Sequence, residues 1–86
     1  MEQNTNPAPS LRDVYERLGP RNCSVKNTHD LLKSRGIHVS RSAIYQTIEG
    51  RSQRREIVEA FLEVAEAELA RRKQIAERTR QLIADS

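Results

Sequence analysis

Apolar residues recur at helical spacing along this chain, and the polar residues between them divide it into four segments. Leu11, Val14, Tyr15 and Leu18 share one face of a helix that Ser10 caps, with Asp13 at its third position, and that Gly19-Pro20 ends. A second helix starts at Ser24 or Asn27 and runs to Arg35. Val25, Thr28, Leu31 and Leu32 point inward from it, and Gly36 stands where a left-handed residue is wanted. The stretch GIHVS then forms a turn whose Ile37 and Val39 drop into the core. Ser40 caps a third helix over 41–49 that buries Ala43, Ile44 and Ile48, and Gly50 ends it. Ser52 caps a fourth, in which Ile57, Val58, Phe61, Leu62, Ala65 and Leu69 form a strong apolar stripe. No Gly or Pro interrupts that segment, so it runs to about Ile83, although its apolar positions thin after Leu69 to Ile75, Ala76, Leu82 and Ile83. Residues 1–9, with two prolines and no apolar period, are expected to form a flexible tail.

This pattern predicts an all-α protein, a small helix-turn-helix domain of about four helices with a long C-terminal helix. The expected organisation is a tail over 1–9, a helix-turn-helix domain over 10–69, and a helical extension over 70–86 that is a candidate for dimerisation. Composition agrees. Only 36% of the 86 residues are hydrophobic and the aromatics are Tyr15, Tyr45 and Phe61, so the core is built from aliphatic side chains. No run approaches the ~18 apolar residues that cross a bilayer, and the first residues carry no signal-peptide apolar segment. The expected location is therefore the cytoplasm.

Charge sharpens the picture through its placement. The net charge is only +3, but residues 1–56 carry +4 and residues 57–86 carry −1. Arg35, Arg41, Arg51, Arg54 and Arg55 crowd around the third helix with Glu49 as the sole acid between 35 and 55. A basic patch beside one short helix is the electrostatic footprint of a nucleic-acid face. Arg54 and Arg55 also fall in the first turn of the fourth helix, where positive charge opposes the helix dipole unless a phosphate sits there.

Chemistry of other kinds finds no support. Cys23 is alone, and His29 and His38 have no acidic or cysteine partner at ligand spacing, so no metal site, cofactor or nucleophile is expected. No Ser-His-Asp or Cys-His arrangement and no phosphate-cradling glycine loop is present, which argues against an enzyme. Nothing suggests a small-molecule ligand.

Two helices joined by a turn over an apolar core describe a helix-turn-helix unit, whose second helix can enter the major groove. The stretch SRSAIYQTIEG, residues 40–50, resembles the reading helix of the Cro and phage-repressor family, and EGRSQRREIVEAFLEVAEAE resembles the basic turn and closing helix of short XRE-type regulators. The resemblance covers about residues 11–69. It implies base reading by Arg41, Ser42, Tyr45 and Gln46, and phosphate contacts from Arg51, Arg54 and Arg55, to which the capping Ser40 is added. The turn LLKSRGIHVS is about two residues longer than the family's, and in this it is similar to winged-helix domains such as the Fur and arginine repressors. A wing needs a β-hairpin after the third helix, however, and RSQRREIVEAFLEV reads as helix.

The fourth helix carries a second charge pattern. Residues 57–70 hold four glutamates and no base, whereas residues 71–80 carry +4. Acid near the start and base near the end suit one helix dipole; two such helices laid antiparallel also align acid with base in a homodimer. Leu62, Leu69, Ala76 and Ile83 fall seven apart and form the candidate seam, with Arg72 and Thr79 as poor intervening positions. A basic tail lying along flanking DNA is a third arrangement. The reading that emerges is a regulator, a repressor of phage or mobile-element type, that binds double-stranded DNA as a homodimer. The alternatives are an architectural, excisionase-like recombination factor, and an adaptor or antitoxin that acts through its last helix.

Overall fold

The computed structural model of the chain describes residues 10–85. The predicted tail, residues 1–9, lies outside them. Four helices form the fold: α1 (Leu11–Leu18), α2 (Ser24–Ser34), α3 (Arg41–Ile48) and α4 (Arg55–Ala84). Among the described residues there is no strand, and hence no wing. No helix is long and apolar enough to cross a membrane.

Local chemistry sets each boundary. Ser10 and Asp13 close a capping box on α1: the Asp13 amide donates to Ser10 Oγ at 3.3 Å and the Ser10 amide to Asp13 Oδ2 at 3.0 Å. At the start of α2 the Cys23 side chain makes no cap, and Asn22 Oδ1 accepts from the Ser24 amide at 3.1 Å instead. Helices α2 and α3 end in the same way. Ile37 N donates to Leu32 O at 2.9 Å and Gly36 N to Lys33 O at 3.0 Å; Arg51 N donates to Gln46 O at 2.9 Å and Gly50 N to Thr47 O at 3.1 Å. Both are Schellman closures, and both need the left-handed backbone that Gly36 (φ 78°) and Gly50 (φ 85°) supply. The second closure turns Glu49 into the cap of α3 rather than its last helical residue, one position short of the sequence expectation.

The start of α4 also differs. Ser52 does not cap it; Arg54 holds the N-cap position and offers no side-chain acceptor. The chain leaves the glycine turn extended, and the helix begins only where Ile57 can reach the core. That core is continuous: Leu18 from α1, Val25 and Leu32 from α2, Ile44 and Ile48 from α3, and Ile57, Ala60, Phe61 and Ala65 from α4. Phe61 is fully buried, and α4 packs against each of the three shorter helices. Ile37 and Val39 of the connecting turn pack on the same cluster, as the pattern predicted. Thr28 is buried beside it, with a hydroxyl that has no hydrogen-bond partner among the described residues.

Two arginines brace this arrangement from outside. Arg35, at the end of α2, holds Glu63 of α4 with two N–O contacts of 2.9 Å. Arg72 donates to Leu18 O at the end of α1 at 2.9 Å and to Glu68 at 2.8 Å. Beyond Arg72 every described residue of α4 is exposed. At 1.5 Å per residue its 30 residues span about 45 Å, so roughly the last third projects past the domain.

Candidate nucleic-acid interface

Helix α3 is short, and its two sides differ in kind. Ile44 is 0% exposed and Ile48 and Thr47 are each 3% exposed, so three of its eight residues are fixed in the core. Thr47 satisfies its buried hydroxyl by donating back to Ala43 O at 2.9 Å. Ser40 starts the helix by accepting from the Ala43 amide at 3.1 Å, which leaves its own O–H free to donate outward. Arg41, Ser42, Tyr45 and Gln46 are all exposed, and at 100° per residue they fall within one side of the helix. The four sequence-predicted reading positions are thus brought together on one surface. Among the described residues Arg41 has no ion-pair partner.

Tyr45 is shared between that surface and the fold. It is 44% exposed, and its ring meets the Tyr15 ring of α1 edge to face, with centroids 6.4 Å apart and planes at 78°. Burial, and then the neighbouring Tyr45 hydroxyl, hold the Tyr15 phenol above its ordinary pKa, so the Tyr15 ring stays neutral through physiological pH. Sequence periodicity assigned Tyr15 to the inner face of α1 and missed its role as the wall against which Tyr45 stands.

The predicted phosphate contacts lie along the connection that leaves α3. Arg51, Arg54 and Arg55 are exposed, and each has a carboxylate nearby: Glu49 at 2.9 Å, Glu56 at 3.5 Å and Glu59 at 3.5 Å. Such solvent-exposed pairs contribute little to stability and exchange readily for another anion. Arg54 and Arg55 occupy the N-cap and first position of α4, which has no side-chain cap; the Ile57 amide donates to Arg54 O at 3.1 Å, so the Arg55 and Glu56 amides are the first-turn donors that an oxyanion could meet. Arg35 stands apart from this group. Its guanidinium is committed to Glu63, whose carboxyl is held below its ordinary pKa chiefly by those hydrogen bonds.

The candidate seam on α4 is uneven. Leu62 is 37% exposed and Ile83 69%, Ala76 is exposed, and Leu69 is half-buried against the chain's own core. Two further apolar residues, Ile75 (51%) and Leu82 (74%), are exposed on the projecting part of the helix. Among the described residues no group of His, Cys, Asp and Glu is placed to hold a metal ion. No family model, curated protein or solved structure matches the chain.

Proposed function

We propose that the protein binds double-stranded DNA in a sequence-dependent way, with α3 in the major groove, and regulates transcription as a repressor of the phage or mobile-element type. One observation carries the reading. A helix of two turns is pinned by Ile44, Thr47 and Ile48 and presents Arg41, Ser42, Tyr45 and Gln46 together to solvent. That face carries a tyrosine 44% exposed and, among the described residues, an arginine without an ion-pair partner.

The chemistry follows from the residue types. The major groove is about 12 Å wide and accepts one helix. Arg41, at the N-terminal end of α3, has the fork geometry for guanine O6 and N7, and Gln46 that for adenine N6 and N7. Ser42 donates or accepts, and Tyr45, steadied by Tyr15, reaches a thymine methyl or a phosphate. Ser40, Arg51, Arg54 and Arg55 lie at the two ends of α3 and the start of α4, where they position the helix by contacts to backbone phosphates. No cofactor enters this account, and its site of action is the nucleoid.

The salt dependence of binding tests it. Arg55→Gln is expected to weaken binding on all sequences alike and to reduce the slope of log K against log salt by about one. Gln46→Ala is expected to leave that slope unchanged and relax preference at one base pair. If both variants keep the wild-type affinity, slope and preference, this face does not bind DNA.

A further inference from the structure

A heptad row on α4 carries charges that match their own inverse. Glu59, Glu66, Lys73 and Arg80 fall seven residues apart, so they line one edge of the helix in the order acid, acid, base, base. The row runs beside Leu62, Leu69, Ala76 and Ile83, on the side of α4 away from the residues that enter the core. Glu66, Lys73 and Arg80 make no ion pair among the described residues. Glu59 meets the exposed Arg55 at 3.5 Å and lies within electrostatic reach of Arg35. Nearer the domain the charges of α4 are taken up within the chain, Glu63 by Arg35 and Glu68 by Arg71 and Arg72.

We infer that this edge of α4 is the docking surface for a second copy of the chain, laid antiparallel about a two-fold axis between residues 69 and 70. That register sets Glu66 against Lys73 and Glu59 against Arg80, each pair occurring twice, and brings Leu69 onto its own symmetry mate. A parallel pair places like charge on like at all four positions. Sliding the antiparallel pair by a heptad toward the tails sets Lys73 on Lys73 and leaves only Glu66 against Arg80 as an attraction. The charge row therefore favours one orientation and one register, as flanking charges do in coiled coils. A solitary projecting helix of this length is marginal in water, and the partner supplies what it lacks.

This inference goes beyond the DNA-binding reading and stands or falls without it. Sedimentation equilibrium on the full chain, with no DNA present, tests it through a charge swap. The wild type is expected to dimerise. Glu66→Lys and Lys73→Glu, each converting two attractions to two repulsions, are expected to weaken the dimer roughly tenfold or more. The double swap restores both pairs in the antiparallel register alone, and is expected to return to within about threefold of wild type. Glu and Lys both favour helix, so circular dichroism at concentrations where each variant is dimeric should show equal helicity and exclude misfolding as the cause. A monomeric wild type, single variants that dimerise as well as wild type, or a double variant weaker than either single one would overturn the inference.

Discussion

The Tyr45 ring stands edge-on to Tyr15, 6.4 Å between centroids, and so ties the outward face of α3 to α1. The same residue that looks out to solvent is held in place by a neighbour from another helix. Edge-to-face pairs of this kind contribute about 0.5–1.5 kcal/mol beyond their buried area. Tyr45→Ala is expected to lower unfolding free energy by about 1 kcal/mol in urea denaturation, while Tyr45→Phe keeps the ring contact and stays close to wild type. Equal loss in both variants would assign the effect to the hydroxyl instead.

Thr28 is fully buried in α2, and its hydroxyl finds no hydrogen-bond partner. A buried, unsatisfied polar group costs about 1–3 kcal/mol, and valine has the same shape without it. Thr28→Val is therefore expected to raise stability by about 1 kcal/mol despite the slight helix preference it forfeits. An unfolding midpoint that falls would show that the hydroxyl is satisfied in solution.

Gly50 closes α3 at φ 85°, and a Cβ there would meet nothing within 4 Å. Crowding is thus not the issue, and the backbone conformation is. Gly50→Ala is expected to cost about 1–2 kcal/mol, and Gly50→Asn less, because asparagine tolerates the left-handed region. Equal stability of the glycine and alanine proteins would mean that the Schellman closure contributes nothing.

Acid should loosen the join between α2 and α4. The Arg35 hydrogen bonds hold the Glu63 carboxyl below its ordinary value, so the folded state binds its proton less readily than the unfolded chain. That contribution is complete above the ordinary glutamate range near 4.3 and is lost as pH falls through the lowered folded value. Glu63→Gln is expected to remove this part of the acid sensitivity, seen as a smaller difference between urea midpoints at neutral pH and near pH 3. Because both side chains are exposed, the difference is small.

Much of this was legible in the sequence. The apolar period located all four helices, and Ser10, Ser40, Gly36 and Gly50 marked ends that the structure keeps. The start of α4 was misplaced from Ser52 to Arg55, because a serine that looks like a cap says nothing of how far an extended chain must run to bring Ile57 to the core. The pairing of Tyr15 with Tyr45, and of Arg35 with Glu63, joins residues 30 and 28 apart in sequence. No local pattern encodes such contacts. Counting Arg35 with the basic cluster was reasonable from spacing, and its bidentate commitment to Glu63 is what sets it apart.

The most direct test of α3 as the DNA-reading helix is selection of duplexes from a random pool by the purified protein, repeated with Gln46→Ala. The account predicts a short enriched motif with half-sites about 34 Å apart, one helical turn, and loss of preference at one base pair per half-site in the variant. Binding without enrichment would point to an architectural role, and no binding at moderate salt, or a motif unchanged by substitutions on α3, would contradict the account.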